Sequence, residues 1–450
     1  MKIIHIPYCF FPGPVGGTEV YVNELSKSLV HFGIESIIAV PGGEGDYSYT
    51  HQGVKVRRFD ISKKSKSLSS LYGDSDPIAV KSFAKILDEE KPDIVHMHSL
   101  TYASSPGLAA ESKKRGLAVV FSYHTPSVSC QTGSLVTWKK EICKGLLDAR
   151  SCSVCAICRH NIPGFMARLL ADTPTFLSRL IERGRLNGRL FTAIRMRSLV
   201  GRRILLLGDF FKDVDCVIAL NEWSGELLSN NNIIKSKIAL VRHGIYQNTG
   251  DKIKKNISAH TYRLKLAYMG RLDQAKGIDL VIRAFSLLGN EPMDLDIYGI
   301  VQDETSGKFA AKIRAIASSD SRIVFLPPVP YAETIDRLKN YHYLIVPSLC
   351  METGPLVALE ALASGTPVIG SNMGGIAEII QDGRNGMLVE PGSARAWINV
   401  LRKVSRNRQL LVKLRQGIKP PRTMHEVAGE TAAVYNNLAA SRRSPQGNLC

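Results

Sequence analysis

The sequence predicts an α/β protein of two domains, each a doubly wound parallel sheet, and three observations lead there. Short runs rich in Val, Ile and Leu alternate with helix-like segments along most of the chain, the rhythm of strands covered on both faces by crossover helices. That rhythm pauses at a polar, Lys- and Asn-rich stretch, 247–263, and then restarts. A length of 450 residues exceeds one ordinary core and suits two domains of roughly 200 residues each.

In the first half, strands are predicted at 3–6, 36–40, 54–59, 94–98, 118–123, 216–220 and 238–241. Helical patterns lie between them, as at 19–31 and 78–90. In the second half, strands are predicted at 264–269, 295–298, 322–326, 343–347 and 367–370. The expected domains are therefore 1–246 and 264–418, two Rossmann-like units facing a cleft. A C-terminal helix is expected within 419–440, because Met424, Val427, Ala428, Val434, Tyr435 and Leu438 fall near one face. Thr431 interrupts that stripe, and 441–450 reads as a frayed tail.

Composition narrows the function classes. Apolar residues make up 44% of the chain and charged residues 22%, as in a globular protein. No apolar run approaches the roughly 18 residues of a membrane-spanning helix. Met1 to Ile6 reads as a first buried strand, not a signal peptide, so a cytoplasmic location is expected. The formal charge is +18, and residues 139–212 concentrate it, with fifteen Lys or Arg against five Asp or Glu. Nucleic acid is not the expected partner, because no zinc finger, helix-turn-helix or aromatic-basic RNA motif accompanies the charge.

Residues of about 130–212 break the strand–helix rhythm and read as a Cys-containing, helical insertion in the first domain. Cys143, Cys152, Cys155 and Cys158, with Cys130 as an alternative fourth, could hold a structural zinc. Free thiols packed in the insertion are the other reading, since a reducing compartment disfavours disulfides. The following segment mixes Phe165, Met166, Leu169, Leu170, Phe176, Leu177, Leu180 and Ile181 with Arg168, Arg179, Arg183 and Arg185. Further on, Arg195, Arg197, Arg202 and Arg203 flank apolar residues. Such a segment suits an anionic membrane surface, a solvated basic face, or an anionic acceptor.

The strongest chemical signal is the segment from Val346 to Gly365. A strand ends near Pro347, a loop carries Glu352, Thr353 and Gly354, and Pro355 suits the first helical position. The helix N-terminus offers unpaired N–H groups and a partial positive charge to a diphosphate. Glu360 then lies far enough along the helix to reach a ribose, whose two hydroxyls a carboxylate can accept. Glu352 precedes the helix, on the side where a sugar would project. Arg271 and Lys276 follow another strand end and could neutralise a diphosphate leaving group without a metal. Each of these charges, taken singly, could equally be solvated surface.

Together the motifs identify a family resemblance. The loop Gly16-Gly17-Thr-Glu19, Asp93-Ile-Val-His-Met-His98, Gly270-Arg-Leu with Lys276-Gly277, Glu352-x7-Glu360 and Gly374-Gly375-Ile-Ala-Glu378 resemble the family-4 retaining glycosyltransferases of GT-B type. The resemblance implies a nucleoside-diphosphate-sugar donor and a glycan or lipid-linked acceptor, with no cofactor required for catalysis. Arg271 and Lys276 would bind the donor phosphates and Glu360 the ribose. Glu352 and the backbone of Thr353, Gly354, Pro355 and Leu356 would hold the transferred sugar. Gly16 and Gly17 would bring the first-domain loop close to the diphosphate, through a backbone conformation closed to other residues. His124 would face the sugar hydroxyls as a catalytic group beside Glu352. His96 and His98 read as residues closing a buried strand.

Two departures stand out. His243 occupies a position where many relatives carry Asn, and Val301 one where many carry a second glycine. The implied chemistry is retaining, with the leaving diphosphate taking the acceptor's proton, in assembly of a cell-surface polysaccharide or glycolipid. Phosphorolysis or nucleotide-sugar epimerisation on the same fold, or a non-catalytic nucleotide-sugar-binding or scaffolding role, are the alternatives.

Overall fold

The structure is a computed structural model that describes residues 1–13, 16–42, 45–62, 72–184, 188–246, 257–259 and 262–443. Arg185, most of the expected linker and the tail from 444 lie outside the described residues, as does the side chain of Arg183. The chain divides into two compact units. The first runs from Met1 to Arg242 and takes in the final helix from Met424; the second is His243–Thr423.

The first unit holds an eight-stranded sheet: β1 (Lys2–Ile6), β2 (Glu35–Pro41), β3 (Tyr47–His51), β4 (Val54–Phe59), β5 (Ile94–Met97), β6 (Ala118–Ser122), β7 (Cys216–Ala219) and β8 (Ile238–Leu240). Their spatial order is β3-β4-β2-β1-β5-β6-β7-β8. All neighbours are parallel except β3, which runs antiparallel to β4 at the edge. β3 escapes a search for apolar runs because its sequence, Tyr-Ser-Tyr-Thr-His, is half exposed. Helices α1 (Gly17–Leu29), α2 (Pro77–Glu90) and α3 (Pro106–Lys114) are the early crossovers. Asp76 shows how local chemistry starts one: its carboxylate accepts from the N–H groups of Ile78 and Ala79, and Pro77 follows at the first position.

Between β6 and β7 the chain makes four helices, α4 (Ala149–Cys158), α5 (Gly164–Ala171), α6 (Thr175–Arg183) and α7 (Arg189–Asp213), before α8 (Glu222–Asn230) resumes the alternation. Three of these, α4, α5 and α7, share a small core around Val154, Ile157, Ala167, Ala171, Met196 and Val200, and α6 packs on α7.

The second unit carries a six-stranded, wholly parallel sheet: β9 (Leu264–Arg271), β10 (Met293–Ile300), β11 (Ile323–Leu326), β12 (Tyr343–Val346), β13 (Val368–Ser371) and β14 (Gly386–Val389), in the order β11-β10-β9-β12-β13-β14. Helices α9 (Ile278–Ser286), α10 (Glu304–Ala317), α11 (Thr334–Leu338), α12 (Leu356–Ala363), α13 (Gly374–Ile379), α14 (Ala394–Arg406) and α15 (Arg408–Gln416) complete it. Two apolar clusters hold the unit together, one centred on Trp397 and Phe285, the other on Leu344 and Leu362.

The last helix, α16 (Met424–Arg443), buries Met424, Val427, Ala428, Ala432 and Tyr435 in the core of the first unit. Thr431 is fully buried in the same stripe, because its hydroxyl donates to the Val427 carbonyl at 2.8 Å and leaves no unpaired polar group. The expected boundary at 246 shifts. Residues from His243 belong to the second unit, where the Ile245 N–H donates to the Arg422 carbonyl at 2.8 Å and Ile245 packs with Ile335, Leu359 and Ala363.

Among the parallel strands of each sheet the order reverses direction once, at β1/β5 in the first and β9/β12 in the second. Open parallel sheets bind ligands at the carboxyl edge of such switch points.

Candidate active site

In the second unit, the segments leaving β9 and β12 are the ones that carry Arg271, Lys276, Glu352 and Glu360. The two loops are tied together. The Leu349 N–H donates to the Ala275 carbonyl at 2.7 Å. Gly277 has φ 65°, and a Cβ there would stand 2.1 Å from the Pro347 carbonyl oxygen, so only glycine lets the loops approach this closely.

Lys276 Nζ donates to Glu352 Oε2 at 2.6 Å, and the Ser348 hydroxyl donates to the other carboxylate oxygen. Burial works against both charges, but each charge holds the other. The ammonium keeps Glu352 below the usual carboxylate range, and the carboxylate keeps Lys276 above its ordinary value. Arg271 is more exposed; it reaches Asp273 at 3.3 Å and Gln302 at 3.3 Å. Ser348 is a partner that sequence reading passed over, although the Pro-Ser step before the loop marks its place.

The loop before α12 is shaped from behind by α13. The Gly375 N–H donates to the Glu352 carbonyl at 2.6 Å. Gly374 has φ 56°, and a Cβ there would lie 2.9 Å from both the backbone N and O of Glu352. Thr353 is buried, and a Cβ on Gly354 would lie 2.7 Å from the ring of His243. His243, whose role the sequence left open, thus stands against the loop expected to meet the sugar, and burial pushes its imidazole down to about 4.

Pro355 caps α12 instead of starting it: its φ of −68° and ψ of 115° are extended, and Leu356 is the first helical residue. Glu360 follows four residues later, about 6 Å along the axis. It is 5% exposed, no described residue donates to its carboxyl, and burial alone pushes its pKa up to about 8. A buried carboxyl with open acceptor positions is the most informative single group here. Val301, just past β10, is half exposed.

In the first unit the switch point is occupied by imidazoles. His5 Nδ1 and His98 Nε2 lie 3.1 Å apart, and His98 Nδ1 and His124 Nε2 3.0 Å apart. His5 Nε2 meets the Ser36 hydroxyl at 3.3 Å. Tyr21 packs edge-on against His124 at 5.0 Å. Burial drives His5 down to about 3 and His98 well below its ordinary value, so both are neutral. A neutral imidazole has one donor and one acceptor nitrogen, so the links from Ser36 to His124 must all point the same way. His98 therefore does more than close a strand: it touches the residue singled out for catalysis. His5 and His96 are register partners on adjacent strands, which is the signal that could have grouped these rings.

One expectation needs correction. The Gly16–Gly17 pair supplies no left-handed backbone: Gly16 has φ −117° and ψ −168°, which any residue adopts, and Gly17 has no positive φ. Gly16 instead caps α1, its N–H donating to Glu19 Oε2 at 2.8 Å. The cysteine thiols gather without closing into a tight set: Cys130, Cys143 and Cys155 bear on the Cys152 thiol, and Cys130 and Cys143 on that of Cys155. Among the described residues, the one group of three His, Cys, Asp or Glu whose ligand atoms all lie within 4.8 Å of one another is His5, His96 and His98. Cys143, Cys152, Cys155 and Cys158, with or without Cys130, form no such group. Cys152 and Cys158 are six residues apart on α4, about 120° around the helix, and both pack on its apolar cluster. Nor are the three histidines an open site, since His96 is engaged by Tyr435 at 2.6 Å and Ser122 at 2.8 Å, and His5 and His98 by the chain above.

Two family descriptions match this chain: Glycosyl transferases group 1 over residues 250–419 and Glycosyltransferase Family 4 over residues 15–156. The chain belongs to the family-4 glycosyltransferases of the GT-B fold. Among curated relatives, the D-inositol 3-phosphate glycosyltransferase of Arthrobacter sp. (strain FB24) is 32% identical over 31% of this chain and 34% of its own length. The chain thus spans about a third of that relative. Among solved structures, sucrose-phosphate synthase from Thermosynechococcus elongatus has a TM-score of 0.67 at 16% identity, covering 98% of this chain and 99% of that one. Anabaena HepE in complex with UDP-glucose has a TM-score of 0.59 at 14% identity, covering 99% of both chains. At these identities the structural likeness is one of fold.

Proposed function

We propose that the protein transfers a sugar from a nucleoside-diphosphate-sugar to an acceptor hydroxyl with retention of anomeric configuration. One observation carries the reading. At the switch point of the second sheet, the Lys276–Glu352 pair and the open, buried carboxyl of Glu360 flank the N-terminus of α12. The spacing matches a donor's parts, with Glu360 for the ribose, the helix terminus and the cations for the diphosphate, and Glu352 for the sugar. The structural likeness to a UDP-glucose complex supports a donor of this class.

In the reaction, the acceptor oxygen bonds to the anomeric carbon as the bond from that carbon to the diphosphate oxygen breaks. The acceptor's proton passes to the departing phosphate oxygen. Arg271 and Lys276 stabilise the charge that develops on the leaving group, and His124 positions the sugar hydroxyls. Glu352 holds Lys276 in place and keeps it charged.

The acceptor is a glycan or lipid-linked sugar of the cell surface, reached from the inner membrane face. The basic, apolar segment after the cysteines supports this reading. The test is incubation with a panel of nucleotide-sugars and acceptors, with the product's anomeric configuration read by NMR. A retained configuration that disappears in Lys276→Ala is the expected result; an inverted product, or turnover untouched by that change, rejects the reading.

A further inference from the structure

Helices α5 and α6 carry a short repeat that becomes visible once exposure is laid over sequence. Pro163-Gly-Phe165-Met-Ala-Arg168-Leu169 and Pro174-Thr-Phe176-Leu-Ser-Arg179-Leu180 match at a spacing of eleven residues. The structure repeats as well. Each proline caps its helix with nearly the same backbone, φ −56° and ψ 142° at Pro163, φ −58° and ψ 139° at Pro174. The same position of each repeat, Ala167 and Ser178, is buried. The same positions face solvent: Phe165 is 68% exposed, Leu169 70%, Phe176 58% and Leu180 56%.

Two phenylalanines and two leucines held outward on successive helices are more than scattered surface apolar residues. On each helix the Phe and Leu lie four residues apart and so share a face, with an arginine beside the leucine. Trp138 extends the apolar surface. It is 39% exposed, packs against Gly164, and has Lys139 and Arg168 over its ring at 5.7 Å and 5.8 Å. An aromatic ring flanked by cations suits the boundary between lipid headgroups and acyl chains.

Beside α6 lies a cleft of about 460 Å³ lined by Ser178, Arg179, Glu182, Arg195, Ser198 and Arg202, among others. Its acid is already engaged, Glu182 pairing with Arg195 at 3.2 Å, and Arg202 pairs with Asp74 at 2.5 Å. Arg179 has no ion-pair partner among the described residues. It belongs to both the exposed stripe and the cleft, so an anion held there would sit at the level of the apolar side chains.

We infer that α5 and α6 form a membrane-docking face, with Phe165, Leu169, Phe176 and Leu180 immersed in an anionic bilayer and the Arg179 cleft taking a lipid phosphate. This rests on the proposed lipid-side acceptor but locates the contact. Charge selects the occupant, because a bilayer of anionic lipids meets the apolar and the cationic requirements in one plane. No helix among the described residues is long and apolar enough to cross a membrane, so contact through this face would be peripheral.

The experiment is co-sedimentation of the full chain with vesicles of phosphatidylglycerol or of phosphatidylcholine alone, without nucleotide. The wild type should bind the anionic vesicles and release as salt rises. The variant with Phe165→Ser, Leu169→Ser, Phe176→Ser and Leu180→Ser should bind at least about tenfold less. Arg179→Gln should lose about threefold on anionic vesicles only. All four apolar positions are exposed, so thermal unfolding and nucleotide binding in solution should match the wild type, and nucleotide binding separately tests the transferase reading. The inference is overturned by wild type indifferent to vesicle charge, by a four-serine variant that binds like wild type, or by a face that proves to pair two copies, with the serine variant abolishing a dimer and leaving vesicle binding intact.

Discussion

The two switch points of this molecule are furnished in opposite ways. The first sheet ends in imidazoles, neutral at His5 and His98, that hand hydrogen bonds from ring to ring, from His5 through His98 to His124. The second ends in a charged pair, Lys276 and Glu352 in contact, with the buried acid of Glu360 further along the helix. Each arrangement suits a different kind of ligand group. A diphosphate needs cations that stay charged when buried, and the ion pair secures that. Sugar hydroxyls need orientation more than charge, and a one-way imidazole chain supplies it without an ion to desolvate.

The contrast is broken most severely at Lys276. Lys276→Ala should lower transfer by about a hundredfold or more, the scale of losing a charge aimed at a leaving group. It should also lower thermal stability, by stranding Glu352. Adding Glu352→Gln should restore much of that stability and none of the transfer. Recovery of both would mean that the pair is structural only.

At the other switch point, His98→Leu leaves a nitrogen of His5 and of His124 unpaired and should cost about 2 kcal/mol in a urea titration. Turnover should fall roughly tenfold, with less effect on KM for the donor. His98→Asn, whose amide stands near the Nδ1 position, should recover part of it. A histidine that merely fills space would give equal losses in both variants.

Glu360 offers a pH test. Folding raises its pKa from 4.5 to about 8. The neutral acid therefore contributes stability in full below about pH 4.5, and that contribution is lost as pH rises through about 8. The wild type should thus lose stability relative to Glu360→Gln across that range, measured by thermal unfolding. If ribose hydroxyls donate to the carboxylate, a nucleotide binds its charged form, so affinity should rise with pH toward about 8 in the wild type and stay flat in Glu360→Gln. A smaller effect is expected at Gly374→Ala, where φ 56° and contact with the Glu352 backbone should cost about 1 kcal/mol and raise KM for the donor.

The charged switch point was the more legible in sequence. Its residues cluster in two short segments, and the helix beginning at Leu356 orders them along one axis. The neutral one was nearly invisible, because His5, His98 and His124 are far apart in the chain and meet only when β1, β5 and β6 pair. His98 was read as strand closure for that reason. Strands are legible where both faces are apolar; β3 is hidden because it is a polar edge, and β14 because it opens on a glycine that ends the polar stretch Gln381 to Gly386. The repeat on α5 and α6 is faint in sequence, because its matching residues are few and gain meaning only from shared exposure.

The most direct test of the account is calorimetric titration of wild type, Lys276→Ala and Glu360→Gln with uridine, guanosine, adenosine and thymidine diphosphates. One of these should bind the wild type with proton release near neutral pH, bind Lys276→Ala at least about tenfold more weakly, and bind Glu360→Gln without proton release. Binding of none of them, or equal binding to wild type and Lys276→Ala, would contradict a donor site at the second switch point.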